Sequence, residues 1–183
     1  MIKKVKLEQK MKILITYYSD TGNTEKIAKA IRDALAEHDV DLMHVKDANP
    51  ETLKAYDLIF LGSGIYAFNV HRKVKTLIKK APQLPSKFAF FYTHESKNSW
   101  PDAFKSVTEI LDKTNSEILG EFDCTGENLV PLAAQQREAM LSRLSPEDRQ
   151  VAEETYLNFV KGHPNEEDFE AAKKFAISIV NKL

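Results

Sequence analysis

Residues 16–24 read TYYSDTGNT, Thr16 to Thr24. They follow the apolar run Ile13-Leu14-Ile15 and precede Lys26-Ile27-Ala28-Lys29-Ala30-Ile31, whose apolar positions recur with a helical period. The stretch reads as the loop between a buried strand and a helix N-terminus, the opening of an α/β unit. Such a loop presents unpaired backbone N–H groups and the positive end of the helix macrodipole, and the two together attract anions. Ser19, Thr21 and Thr24 add hydroxyl donors, and Gly22 permits a tight turn with backbone close to a ligand. No basic side chain lies in the stretch, so its donors suit one terminal phosphate monoester. The local alternative is that Thr21 caps the helix.

Outward from this loop, strand and helix signals alternate. Strands are expected at 12–17, 40–45, 57–63, 87–93 and 117–124, and helices at 23–37, 70–80, 101–113 and 166–183. The third of these strands is a continuous apolar run, as expected of a central parallel strand covered on both faces. The pattern is α/β: a doubly wound parallel sheet with helices on both faces. Residues 129–162 break the rhythm with two helical patterns where one short connection would do. The second begins Ser145-Pro146-Glu147-Asp148, a capping hydroxyl followed by proline at the first helical position, and Gly162 and Pro164 end it. The expectation is a single domain over residues 1–183, with an N-terminal extension at 1–10 and a helical insertion at 129–162.

Composition narrows the class. The 183 residues are 43% hydrophobic and 29% charged, which excludes a disordered chain. No apolar run approaches the roughly 20 residues of a membrane span, and the single cysteine, Cys124, excludes an internal disulfide and a cysteine-based zinc site. Cytoplasmic localisation is the expectation. A net charge of −1 argues against nucleic acid as a partner. The charge is unevenly spread: Arg72, Lys73, Lys75, Lys79, Lys80 and Lys87 follow one another without an acid. That run reads as a solvated helix face or as a surface for an acidic partner.

Other phosphate loops fit less well. The lysine-bearing P-loop pattern is absent. Gly62-Ser63-Gly64-Ile65-Tyr66-Ala67 matches the dinucleotide fingerprint in form, but it follows the third strand, and no acid lies between Asp57 and Glu95 to hold a ribose.

Ser19-Asp20-Thr21-Gly22-Asn23-Thr24 resembles the FMN phosphate motif of the flavodoxin family, [ST]-x-T-G-x-T, at every specified position. A second family loop is matched by Leu61 to Phe68 and a third by Phe91 to Trp100, and the order of strands is similar from about Met11 to Cys124. The resemblance implies a five-stranded parallel sheet in order 2-1-3-4-5 with FMN at the carboxyl ends of the strands. It implies that Ser19, Thr21 and Thr24, with the backbone of Asp20, Gly22 and Asn23, hold the phosphate. Gly62, Ser63, Gly64, Ile65 and Ala67 would bring backbone to the ribityl chain and ring. Tyr66 or Phe68 would cover one ring face and Trp100 the other, and Thr93, His94, Glu95 and Ser96 would meet the pyrimidine edge. The family often bends the second loop at a glycine; here none lies between Gly64 and Gly120, and Asn69 is the expected left-handed substitute.

The function implied is a monomeric electron carrier with noncovalent FMN, shuttling low-potential electrons between redox proteins through transient contacts, with no catalytic residue and no metal of its own. The alternative is an FMN-dependent oxidoreductase acting on a quinone or protoporphyrinogen-type substrate. The menaquinone-dependent protoporphyrinogen oxidases are similar in length and carry an inserted segment. Theirs is basic and membrane-seeking, whereas residues 129–162 here are mixed to acidic. A cofactor-free binding module on the same fold is the third reading. His94 with Glu95 is the candidate acid/base pair if the protein is an enzyme, and Cys124 reads as a buried, inert thiol.

Overall fold

The computed structural model describes residues 10–98 and 100–183. The extension expected at 1–10 falls, apart from Lys10, outside the described residues. Five long strands form the sheet: β1 (Lys12–Tyr18), β2 (Asp39–His44), β3 (Leu58–Tyr66), β5 (Lys87–His94) and β6 (Glu117–Thr125); β4 (Asn69–Val70) is a two-residue strand. The helices are α1 (Asn23–Ala34), α2 (Arg72–Lys80), α3 (Lys105–Leu111), α4 (Pro131–Leu141), α5 (Pro146–Phe159) and α6 (Glu166–Val180). The long strands are all parallel in the order β2-β1-β3-β5-β6, which is the expected 2-1-3-4-5 when they are counted alone.

Alternation along each strand builds two cores. Ile13, Ile15 and Tyr17 of β1 join Phe60, Phe91, Ile27, Ile31 and Ile179 on the α1/α6 side. Leu14 joins Ile59, Leu61, Phe90, Val74, Leu77 and Val107 on the α2/α3 side. The central strands are therefore apolar at successive positions because both faces are covered.

Three local expectations are corrected. The third strand does not stop at Ser63 but continues to Tyr66 and turns back through Ala67-Phe68 into β4, which pairs antiparallel with it. Pro101 does not open a helix: residues 101–104 are successive turns, with the Ala103 N–H donating to Trp100 O at 2.9 Å and that of Lys105 to Asp102 O at 3.0 Å, and α3 starts at Lys105. The first and last helices also end at Ala34 and Val180, about three residues early.

The two helical patterns at 129–162 do form α4 and α5. Ser145 caps α5 as its sequence indicates, accepting from the Asp148 N–H at 3.1 Å. No residue of α5 is buried, and only Leu141 of α4 is.

Candidate functional site

The carboxyl ends of β1, β3 and β5 lie side by side, and the chain direction across the sheet reverses between β1 and β3. In open α/β sheets the crevice at such a switch point is where ligands bind. At the end of β1, Gly22 adopts φ +85° and is the N-cap of α1 without supplying a side chain. This is a conformation that glycine enters at little cost. Ser19 Oγ accepts from the Gly22 N–H at 3.0 Å, and the first helical bond runs from Lys26 N to Gly22 O at 3.0 Å. Thr21 is exposed and does not cap the helix, which corrects the local alternative. The N–H groups of Asn23, Thr24 and Glu25 consequently have no acceptor among the described residues. Three aligned donors at the positive end of a helix are what an anion requires.

The hydroxyl of Thr24 behaves differently. Thr24 is only 1% exposed, and its Oγ1 lies 2.8 Å from Thr93 Oγ1, tying the first loop to the third. Asn23 turns its side chain away, donating from Nδ2 to Glu127 O at 2.8 Å. Asp20 donates its N–H to the Tyr66 hydroxyl at 3.3 Å and accepts from the Tyr18 hydroxyl at 2.9 Å.

In the second loop, Tyr66 and Asn69 are paired, so Ala67 and Phe68 form a two-residue hairpin turn with φ 45° and 68°. Such turns need left-handed conformations at both central residues. Asn69, the expected left-handed residue, is instead in the strand, because register assigns the turn to its two predecessors. Neither is glycine, and strain of this kind persists only where surrounding contacts fix it. Here the turn delivers Phe68, 66% exposed, edge-on to Trp100 at 4.9 Å between centroids. Tyr66 folds back over Gly64, and burial followed by the charge of Asp20 raises its phenol above the ordinary tyrosine value. Ser63 is buried, donating to Gly64 O at 2.6 Å and accepting from the His71 N–H at 2.9 Å. Ile65 packs against the α2/α3 core. Gly62 has a packing reason of its own: a Cβ there would lie 2.1 Å from the ring of Phe91.

In the third loop His94 is buried with both ring nitrogens engaged, Nε2 facing Asp123 Oδ2 at 2.9 Å and Nδ1 facing Ser96 O at 3.0 Å. Glu95 does not pair with it; its Oε1 accepts from the Asn128 N–H at 3.2 Å. The acid/base pair expected of His94 and Glu95 is therefore absent, since each is committed elsewhere. Trp100 and Phe68 touch and as they stand leave no room for a third ring between them, which would need about 7 Å, two carbon contacts of ~3.5 Å, whereas Tyr66 makes no ring contact with Trp100.

The sequence model of the flavodoxin domain matches residues 14–177. An uncharacterized protein of Methanocaldococcus jannaschii is 32% identical over 171 residues, 93% of this chain and 99% of that protein. This chain belongs to the flavodoxin domain family. Among solved structures, oxidised flavodoxin 1 from Bacillus cereus superposes with a TM-score of 0.62 at 16% identity, over 94% of this chain and 99% of that one. A flavoprotein from Lactobacillus acidophilus in complex with FMN has a TM-score of 0.50 at 21% identity, over 62% of this chain and 93% of that one.

Two parts of this flavodoxin domain's carboxyl edge were missed from the sequence. Tyr18 stacks flat on His71, 3.5 Å between centroids, with Lys73 Nζ 5.3 Å above the Tyr18 ring. Burial lowers the His71 imidazole below its ordinary value. His71 Nδ1 also accepts from the Lys73 N–H at 3.3 Å and so caps α2. No spacing rule joins Tyr18 to a residue 53 positions later. The second part is Glu127, at the root of the two-helix segment. Its carboxylate accepts from the Gly162 N–H at 2.9 Å and from the Tyr156 hydroxyl, and its N–H donates to His163 O at 2.7 Å. With Asn23 on its carbonyl and Lys97 Nζ 4.7 Å over Phe159, the helices are tied to both the first and third loops. A cavity of about 920 Å³ runs between α4 and α5 and is bordered by Glu95. Cys124 is buried, and burial pushes its thiol above the ordinary range, which disfavours the reactive thiolate.

Proposed function

We propose that the protein is a flavodoxin-type electron carrier that binds FMN noncovalently and exchanges low-potential electrons with redox proteins in transient contacts. The observation that carries this reading is the uncapped first turn of α1, with the donors of Asn23, Thr24 and Glu25 presented at the switch point. These donors and the Thr21 hydroxyl suit the terminal phosphate, and no lysine is needed for a single phosphate monoester. Ser19 holds the turn by accepting from Gly22, and Thr24 holds it by bonding to Thr93. Phe68 and Trp100 form one aromatic pair and Tyr66 packs with Tyr18 and His71 in another, and both offer ring surfaces to a flavin. FMN supplies the reversible redox chemistry; the protein supplies grip and surroundings.

The test compares FMN with riboflavin, which lacks the phosphate, using the fluorescence of the single tryptophan and the visible flavin spectrum. FMN is expected to bind far more tightly than riboflavin. Thr21→Ala should weaken FMN about tenfold, near the ~1.5 kcal/mol lower bound for a hydrogen bond to a charged group, without lowering thermal stability. Equal affinity for the two flavins, or no flavin spectrum after loading, refutes the reading.

A second reading, an FMN-dependent oxidoreductase, is favoured by the cavity between α4 and α5, lined in part by Leu129, Met140, Leu141, Leu157 and Val160 beside the third loop. Its size falls within the usual range for small-molecule sites. Fast turnover of a soluble quinone with NADH, lost on narrowing the cavity with Ala152→Phe, would decide for it.

A further inference from the structure

Helix α2 carries Arg72, Lys73, Lys75, Lys79 and Lys80 and no acid, and all five are exposed because Val74, Leu77 and Ile78 take the buried face. Among the described residues no carboxylate lies within 4.0 Å of any of them. Ion pairs form elsewhere, Lys29 with Glu25, Arg32 with Asp33, Lys173 with Glu170, and Arg149 with both Glu138 and Glu153, and single bases such as Lys26, Lys54 and Lys174 also stand without one among the described residues; what sets α2 apart is five bases gathered on one helix with no acid. The unneutralised helix begins two residues after β4 leaves the strained hairpin, whose Phe68 is the exposed aromatic at the edge of the site. The head of the helix is held in place by His71, which caps it and stacks on Tyr18.

We propose that the cationic face of α2, with Phe68 at its head, is the docking surface for a redox protein that presents an acidic patch. The proposal rests on the electron-carrier reading and adds the chemistry of the partner. An exposed aromatic next to a row of charges has the anatomy of a transient interface: the aromatic anchors, and the charges steer the encounter and raise the association rate. Nine helical residues span only about 13 Å, which suits the small contact areas of electron-transfer encounters. An extended polyanion is disfavoured. The chain holds 26 bases and 27 acids, so with five bases gathered on α2 the rest of the molecule carries a net charge of −6. A nucleic acid or an anionic bilayer would meet that acidic remainder, whereas a compact acidic patch meets only the helix.

The test titrates the full FMN-loaded chain with an acidic plant-type ferredoxin, followed by amide NMR. Expected are shifts at Phe68 and along Arg72–Lys80, with affinity falling at least tenfold as ionic strength rises from about 10 mM to about 150 mM, where the Debye length shortens from ~30 Å to ~8 Å. The variant Lys75→Glu/Lys79→Glu/Lys80→Glu should bind at least tenfold more weakly at low salt, with unchanged circular dichroism and flavin spectrum. Shifts confined to α4 and α5, or undiminished binding by the variant, overturn the proposal. So does tighter binding of α2 to a short DNA duplex or to phosphatidylserine vesicles than to the ferredoxin. A chain that fails to load FMN but still shifts at α2 refutes the carrier reading and leaves the surface standing; a loaded chain indifferent to the ferredoxin refutes the surface alone.

Discussion

Replacing Gly62 by alanine separates two accounts of the second loop. In one, the glycine lets backbone approach a ligand; in the other, it makes room for a neighbour. A Cβ at this position would lie 2.1 Å from Cζ of Phe91 and 2.3 and 2.7 Å from its two Cε atoms. Carbon atoms in contact sit at ~3.5–4.0 Å, so the ring must retreat by more than about 1 Å. It has nowhere to go. Phe91 is fully buried in the α1/α6 core, and Gly62 and Phe91 are register partners in the central strand pair, so the backbone cannot yield either. Overpacking of this kind costs about 1–3 kcal/mol and occasionally more. The entropy advantage of alanine over glycine, roughly 0.5–1 kcal/mol, offsets only part of it. We expect a net loss of about 1–2 kcal/mol, which at 2–4 °C per kcal/mol lowers Tm by about 2–8 °C in a domain of this size. Phe91→Leu removes the obstruction, so Gly62→Ala/Phe91→Leu should lose less than the two single changes together. Thermal and urea unfolding of the cofactor-free chain reads the stability, and FMN titration reads the site. Wild-type Tm with weakened FMN binding in Gly62→Ala would refute the packing account and return the residue to the ligand.

Thr24 and Thr93 bond to each other out of contact with water. Thr24→Val should therefore cost about 1–3 kcal/mol by stranding the Thr93 hydroxyl, while Thr24→Val/Thr93→Val should cost much less than twice that; additive losses in urea unfolding would rule out the coupling. At the root of the helices, donation from the Tyr156 hydroxyl and the Gly162 N–H holds the Glu127 carboxyl below its ordinary value of 4.5. A depressed folded value means the tether contributes in full above that ordinary value and is lost as pH falls through the lowered one. Hydrogen exchange at the Gly162 amide should be protected down to about pH 4.5, after allowing for intrinsic exchange, and lose protection below it. Glu127→Gln should flatten this dependence, and an unchanged acid transition in that variant would sink the assignment.

The elements that were legible in the sequence are those set by local pattern. Apolar runs marked the five long strands, the 3.6-residue period marked α2 and α6, and Ser145-Pro146 marked the start of α5. The strand–turn–helix at residues 16–24 was legible because strand, glycine and helix are contiguous there. What escaped depends on register or on distant partners. The Ala67-Phe68 turn carries none of the glycine, asparagine or aspartate that usually announces such a hairpin, so β4 was invisible. Gly62 read as a ligand position because its obstruction, Phe91, is supplied by another strand. His94 and Glu95 are adjacent in sequence, but the end of a strand sends successive side chains to opposite sides, and each found a separate partner.

The hydrogen bond from Glu127 N to His163 O closes the neck of the two-helix segment. Thirty-five residues thus branch from one neck between β6 and α6, braced further by Glu95 and Lys97 of the third loop. A segment attached in this way can be lengthened, shortened or exchanged without moving the register of β6 or the docking of α6. Loop-closure cost changes by only about 0.6 kcal/mol for each doubling of length. The crevice at the carboxyl edge is bound to the geometry of the sheet, whereas the two helices beside it are set by the neck at Glu127 and His163, so the two can be altered separately.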